Sequence, residues 1–403
     1  MKTDVLIIGS ELDAYVAAIR LEELGISSRI ITNGKGSSIY SMGDIKVLRS
    51  YENRCPFQSF GQLNKDHPYN LIGLEKVKQS INWFFEKDII NELGYKMFEK
   101  NKDTISPIGL RIPSYGGYRN LASFDEIKDK NVAIFKFDGH KDFHSELISN
   151  SIQDYVSSIK LIEINKPLPN LSSDNSGIAQ SFDKLTNPNE YFFNIKNKIN
   201  NEFDVLLFPA VLGIRNHIKI MESANKILSI KCLEVPTLPP SIPSIRLSKS
   251  IEREILKKSN IHHGSFVIGT NVQNNICESI IDNSKRTINA KAFIVANGGI
   301  LMGGLKVRSD GEVIEELFNS KTIFKAHMSS NKSYESINAL QDSGVLTDEN
   351  LNPTNKDNIK LKNIFFTGRN LANWNPSLEF SSEGVSIASG WHSANNVFNY
   401  LGY

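Results

Sequence analysis

The sequence predicts an α/β fold that opens with a Rossmann-like unit, and three observations carry that expectation. The stretch "DVLIIGSELDAYVAAIRLEELG" reads as strand, glycine turn and helix. Val5 to Ile8 is an apolar run, Gly9 breaks it, and Ala14, Ala17, Ala18, Leu21 and Leu24 recur at helical spacing. From about Asn131 the alternation returns, with "NVAIFKFDG" as a strand, "KDFHSELISNSIQDYV" as a helix and "IKLIEIN" as a second strand. Finally, 403 residues exceed the size at which one core usually stops growing, so two lobes are expected.

The first unit departs from the usual phosphate-binding fingerprint in two places. That fingerprint is G-x-G-x-x-G/A, and its second glycine lets the backbone touch a pyrophosphate. Here the run is Gly9, Ser10, Glu11, Leu12, Asp13, Ala14, so a carboxylate stands where the phosphate approaches. The second strand, "SSRIIT", ends in Thr32, Asn33 and Gly34, without the acid that holds an adenosine ribose in many dinucleotide binders. The loop "GKGSSIYSMGDIKVL" follows, rich in Gly and Ser and suited to offering backbone N–H groups to an anion.

Further along, "HPYNLIGLEKVKQSINWFFEKDIINELG" begins with a turn and becomes a long helix, and "TISPIGLRIPS" reads as strands with a Pro-bearing edge. "DVLLFPAVLGI" is a buried strand. The Pro cluster in "KCLEVPTLPPSIPSIRL" marks a rigid connection. "SIEREILKKSNIHHGSFVIG" and "INAKAFIVANGG" read as helix, strand and strand, and "EGVSIASGWHSANNVFNYL" as a closing helix.

Composition narrows the partners. Lys+Arg 46 against Asp+Glu 44 gives no basis for a nucleic-acid partner. Three cysteines, Cys55, Cys232 and Cys277, never form C-x-x-C, which excludes an iron–sulfur ferredoxin domain in this chain and argues against a disulfide framework. A reducing, cytoplasmic setting fits. No secretory signal is expected at the amino terminus, and no apolar run is long enough to span a bilayer, so membrane contact is expected only through another chain.

The order of these segments resembles two-domain flavoproteins, in which the nucleotide fold is assembled from both chain ends. More narrowly, "HPYNLIG", "ISPIGL", "VPTLPPSIPSIRL", "IVANGGILMGGL", "GVLTDENLNP" and "NIFFTG" lie in the same order as in the B-type subunit family of anaerobic glycerol-3-phosphate dehydrogenases, and they cover essentially the whole chain. The "PTLPPS" to "IRL" stretch is the most specific of them. The resemblance implies a flavin-binding domain of residues 1–95 plus 245–403, with an inserted α/β lobe at 96–244. It implies a flavoprotein of glycerol metabolism and anaerobic respiration, working beside a catalytic flavoprotein subunit (the A type) and an iron–sulfur subunit (the C type). That complex oxidises sn-glycerol 3-phosphate to dihydroxyacetone phosphate and passes electrons to quinone. Peripheral membrane association would come through the complex.

The family is associated with FMN, which has one phosphate and no adenosine, and this accounts for both departures. A carboxylate about 4 Å from a phosphate charge would otherwise be repelled by roughly 4 kcal/mol at an effective dielectric near 20. Two other accounts stay open: FAD in a shifted pose with Glu11 facing solvent, or a chain that has lost flavin and serves as a structural partner. A stand-alone flavin oxidoreductase with another substrate is a further alternative.

Candidate cofactor contacts are Gly9, Ser10, Glu11, Ala14, Asn33, Gly298 and Gly299 of "IVANGG", Gly368 of "TGRN", and Gly384 at the start of the last helix, whose positive end would face an anion or the flavin. Arg369 either pairs with a phosphate or is simply exposed. Alcohol oxidation needs a base for the hydroxyl proton, for which His67 and His392 are the candidates, and cations for the substrate phosphate, for which Arg246 and Arg111 are. The competing reading is structural for each: a turn residue at His67, a hydrogen-bonded core residue at His392, and ion pairs for the two arginines. His262 and His263 lack a third ligand at metal spacing and read as surface residues of a helix-to-strand turn. No metal site is expected.

Overall fold

A computed structural model describes residues 2–50, 54–199, 202–323 and 340–403. Strand β1 (Lys2–Ile8) leads through Gly9 into helix α1 (Leu12–Glu23), and the chain returns along β2 (Ser28–Thr32), parallel to β1. Gly9 has φ +116°, and a Cβ there would lie 1.9 Å from the Ala296 carbonyl oxygen, so only glycine lets this turn press against the neighbouring strand.

Residues 68–94, expected as one long helix, form three: α2 (Pro68–Ile72), α3 (Leu74–Phe85) and α4 (Asp88–Glu92). Gly73 interrupts the first pair with φ +93°, a backbone that no right-handed helix continues through. A hairpin follows, β3 (Tyr95–Ile105) against β4 (Arg111–Tyr118).

The middle of the chain builds a separate four-stranded parallel sheet, with α5 (Phe124–Ile127), β5 (Asn131–Phe137), α6 (Ser145–Ile152), β6 (Ser158–Ile164), α7 (Asn175–Asp183), α8 (Pro188–Lys196), β7 (Val205–Pro209), α9 (His217–Leu228) and β8 (Lys231–Val235). Its order is β6-β5-β7-β8. β5 and β7 are apolar almost without alternation because helices cover both faces, and Phe135 stacks on Phe208 at 4.5 Å in that core.

Helix α10 (Ile242–Ile255) then returns the chain to the first sheet. It begins earlier than expected, because Pro243 sits in the first turn, where its missing N–H is no loss, and Ser241 caps the end. β9 (Asn260–His263) pairs with β2, so His262 and His263 belong to an edge strand rather than a turn. β10 (Val267–Gln273), β11 (Ile276–Asp282) and β12 (Thr287–Val295) complete the order β10-β11-β12-β1-β2-β9. β12 runs parallel to β1 on one side and takes β13 (Ile364–Phe366) in parallel on the other. After a short helix α11 (Pro376–Glu379), the closing helix α12 (Ser382–Leu401) packs on α1.

The two chain ends therefore share one sheet and one core. Val5, Leu6, Ile7, Leu21, Phe293, Ile294, Phe366, Val385 and Ile387 are all fully buried there, each such side chain contributing roughly 1.5–3 kcal/mol. The closeness of α1 and α12 depends on Gly390, where a Cβ would stand 2.4 Å from the Asp13 carbonyl oxygen. The expected limits at 95/96 and 244/245 both fall at or within elements, since β3 begins at Tyr95 and α10 spans 242–255.

Candidate functional site: a crevice divided by Glu11

In parallel sheets of this kind ligands bind beyond the carboxyl ends of the strands. A cavity of about 600 Å³ lies there, bordered by Gly9 and Ser10 after β1, Thr32 to Gly36 after β2, Phe266 to Gly269, and Asn297. A second cavity of about 320 Å³ lies beside it, towards α10 and the start of α12, and includes Ser38, Asp44, Lys46, Arg369 and Glu383. Both volumes fall within the range of small-molecule sites. Glu11 borders both cavities, as the wall between them.

Glu11 is 6% exposed at the N-cap position of α1. Its carboxylate accepts the Ser37 backbone N–H at 2.6 Å and the Ser37 hydroxyl at 2.8 Å. It is wedged between two glycines: a Cβ on Gly298 would be 2.5 Å from Oε1, and one on Gly36 would be 2.9 Å from Oε2. The Gly- and Ser-rich loop does offer N–H groups to an anion, and that anion is the chain's own carboxylate. Burial pushes the Glu11 pKa up, with Ser37 and the nearby Arg369 opposing. Asp13, fully enclosed below it, is pushed up to about 7 by burial, with Thr367 opposing and Glu11 adding.

The smaller cavity repeats this pattern. The Lys46 ammonium lies 2.7 Å from Asp44 and 3.6 Å from Glu383, and Ser114 donates to the other oxygen of Asp44. Ser41 and Ser382 donate to Glu383 at 2.8 and 2.7 Å. Burial alone would push Lys46 down, but Asp44 and Glu383 outweigh it and its pKa is raised. Burial would raise Glu383, and Lys46 outweighs that, so it is lowered. The anion at the positive end of α12 is thus again internal, the Glu383 carboxylate in its first turn.

The sequence-selected cofactor residues separate into two groups. Gly9, Ser10, Glu11 and Asn33 border the larger cavity, and Gly298 closes over Glu11. The others serve packing. Ala14 is fully buried in the core. A Cβ on Gly299 would be 2.2 Å from the Arg369 carbonyl oxygen, one on Gly368 would be 2.6 Å from Asp13, and one on Gly384 would be 2.1 Å from the Tyr69 hydroxyl. Close approach excludes side chains at these glycines, but what approaches is protein.

The four residues selected for catalysis and phosphate binding border neither cavity. His67 accepts the Tyr69 N–H through Nδ1 and has Nε2 3.0 Å from Glu379, tying α2 to α11. His392 places Nε2 2.8 Å from the Glu349 carbonyl, and burial pushes its pKa down to about 4. Arg246 is 4% exposed, with Nη1 and Nη2 donating to Glu234 at 2.8 and 3.0 Å and Nε to the Gly213 carbonyl, so its whole fork is committed. Arg111 pairs with Asp103 on the hairpin and stacks over Phe124 and Tyr155. None of the four therefore lines this crevice, and each side chain is engaged by another residue of the chain. Sequence reasoning does not select Ser37, Asp13, Asp44, Lys46 or Glu383. The only signal for the last three is charge in loops and first turns, which by itself is ordinary.

The parallel sheet, the strand–glycine–helix turn and the crevice beyond the strand ends define an α/β protein on the Rossmann-like plan. Over its full length the chain is similar to proteins named as the B subunit of anaerobic glycerol-3-phosphate dehydrogenase, the resemblance expected from its motifs. It is 24% identical to that of Aliivibrio fischeri, over 100% of this chain and 96% of the relative. The proteins of that name from Vibrio cholerae and Mannheimia succiniciproducens are each 23% identical over 98% of this chain, covering 97% and 98% of their own lengths. No family model matches. Solved structures with similar chains include Escherichia coli quinol fumarate reductase, 8% identical with a TM-score of 0.45 over 99% of this chain and 70% of that one. The 3-ketosteroid delta1-dehydrogenase of Sterolibacterium denitrificans is 10% identical, with a TM-score of 0.45 over 99% of both chains. No helix among the described residues is long and apolar enough to cross a membrane.

Proposed function

We propose that the chain is the B-type subunit of a respiratory glycerol-3-phosphate dehydrogenase. The complex would oxidise sn-glycerol 3-phosphate to dihydroxyacetone phosphate and pass electrons to quinone, with this chain beside the A-type catalytic flavoprotein subunit and the C-type iron–sulfur subunit. The full-length similarity to proteins of that name supports the assignment. Attachment to the membrane, on the cytoplasmic side, would come through the complex.

The observation that bears on its cofactor is the Glu11 wall. A carboxylate seated on Ser37, beside the turn where a dinucleotide's pyrophosphate usually approaches, supports a flavin without a pyrophosphate over FAD. FMN, with one phosphate and no adenosine, is the flavin the crevice favours. The smaller cavity has room for a ring, Ser38, Ser41 and Ser244 offer polar contacts, and Arg369 is the cation beside Glu11 for a lone phosphate. A flavin there would supply electron-accepting chemistry. The chain's own residues would orient the ring and exclude water. Neither candidate histidine borders the cavity, which supports placing proton abstraction from the substrate alcohol in the A-type catalytic subunit.

The two internal carboxylates, Glu11 and Glu383, also support a second reading, a structural subunit that carries no flavin. Both anion seats are then satisfied without a ligand. Acid release of the cofactor from the purified chain and from the assembled complex, with identification by mass, separates these readings. FMN from the purified chain, or in the complex beyond the flavin of the A-type subunit, supports the first. A complex that forms and turns over with no flavin in this chain supports the second, and FAD released from the purified chain itself overturns both.

A further inference from the structure

Six ionisable side chains border the smaller cavity, Glu11, Asp13, Asp44 and Glu383 against Lys46 and Arg369. Three of them form one unit. Lys46 stands 2.7 Å from Asp44 and 3.6 Å from Glu383, so one cation is shared by two carboxylates and the unit is left with one net negative charge. Ser114 donates to Asp44, and Ser41 and Ser382 donate to Glu383. The Lys46 backbone adds two bonds, donating its N–H to Glu383 at 3.4 Å and accepting the Gly384 N–H at 2.8 Å. Against burial, Lys46 holds the Glu383 pKa down and the two carboxylates hold the Lys46 pKa up, so both charges persist at physiological pH.

Glu383 stands in the first turn of α12, and a helix end of that kind carries about half a positive charge. Such an end beside a flavin stabilises the charge that the ring gains on reduction. Two electrons taken up with one proton leave the reduced ring with one added negative charge, and a second proton removes it. Here about half a positive charge from the helix meets one whole negative charge from the unit, so this wall offers no counter-charge. Arg369 does not replace it. That cation neighbours Glu11, and it is the group proposed above for the phosphate. Reduction to the anionic ring is therefore disfavoured in this cavity.

We propose that Glu383 and Lys46 set the reduction potential of the flavin in the smaller cavity, Glu383 lowering it and Lys46 limiting the fall. This rests on FMN occupying that cavity, as proposed above. It adds that the ring there gives electrons up more readily than it would beside a free helix end.

The measurement is the midpoint potential of the FMN-loaded, full-length chain, read from flavin absorbance against a reference dye in mildly alkaline buffer, where the reduced ring keeps its charge. A cavity of about 320 Å³ is about 8 Å across if round, and at that distance and an effective dielectric near 20 one unit charge changes the equilibrium roughly thirtyfold. For a two-electron couple that is about 45 mV. Glu383→Gln, which keeps the shape and removes the charge, should raise the potential by about this amount, and Lys46→Met should lower it. Opposite shifts distinguish charge from a general loosening of the site, which would move both variants the same way. If Lys46→Met does not fold, Glu383→Gln decides alone. An unchanged or lowered potential in Glu383→Gln, or a shift of both variants in one direction, overturns the proposal and leaves FMN in its place. A native chain that holds no flavin overturns the cofactor assignment and this proposal with it.

Discussion

Glu11→Gly would restore the glycine of the phosphate-binding turn and remove the wall between the two cavities. In the native chain a phosphate arriving at the Ser37 N–H would meet a carboxylate held 2.6 Å from that nitrogen. At about 4 Å and an effective dielectric near 20 the repulsion is roughly 4 kcal/mol, or about a thousandfold in affinity. The substitution also frees the Ser37 N–H and hydroxyl to donate to a ligand. ADP, which needs only the larger cavity and the phosphate seat, should therefore bind Glu11→Gly up to about a thousandfold more tightly than the native chain. FAD should gain as well. Glu11→Gln separates charge from bulk, because it keeps the shape of the wall and removes its charge, and should recover only part of the gain. Removing the carboxylate without ligand loses two charge-assisted hydrogen bonds, each worth about 1.5–3 kcal/mol, partly offset by relief of its burial. Calorimetric titration of ADP into the three proteins is the assay. If Glu11→Gly, correctly folded by circular dichroism, binds ADP no better than the native chain, the carboxylate is not what closes the crevice and the argument for FMN over FAD fails.

Three further outcomes follow from the buried charges. The Asp13 carboxyl, at about 7 in the fold against 3.8 when unfolded, stays protonated while the unfolded chain ionises, so its contribution to stability falls as pH rises from about 4 to 7. Asp13→Asn, which cannot ionise, should gain on the native chain by up to about 4 kcal/mol across that window in urea melts, and a constant difference would refute the shift. His392 behaves oppositely. Its ring is neutral down to about 4 in the fold while the unfolded chain protonates near 6.5, so stability is lost as pH falls between those values, by about 3 kcal/mol. His392→Gln should flatten that dependence and leave turnover of the assembled complex within about twofold; a loss of about a hundredfold or more, as for a missing general base, would return His392 to the catalytic machinery. Arg246→Ala should cost about 3–5 kcal/mol in a urea melt by leaving Glu234 buried without its partner, whereas a surface arginine would cost under 1.

Legibility in the sequence differs from residue to residue. The β1–Gly9–α1 unit is legible because both periodicities and the turn lie within one short window. The long helix expected after His67 is over-extended, since an apolar stripe can persist across Gly73 while the backbone turns at φ +93°. The expected start of helix α10 falls too late, because its opening prolines resemble a connection until Ser241 is seen as a cap. At the site, the glycines of "IVANGG" and "TGRN" are recognisable as points of close approach, but a glycine does not name what approaches it. At Gly299, Gly368 and Gly384 it is Arg369, Asp13 and Tyr69.

The sequence by itself determined the α/β class, the two departures in the nucleotide turn and the resemblance to the dehydrogenase family, because these depend on residue order over short or collinear stretches. It could not decide where the charges go. Glu11 reaches Ser37 across 26 positions, Arg246 reaches Glu234 across 12, and His67 reaches Glu379 across 312. Each partner is fixed by the packing of distant segments, and in a low-dielectric interior a carboxylate or guanidinium takes whichever partner the fold delivers. The tertiary structure alone therefore showed that both anion seats of the crevice are filled from within the chain, and that the arginine most suited to a phosphate was already spent on a glutamate.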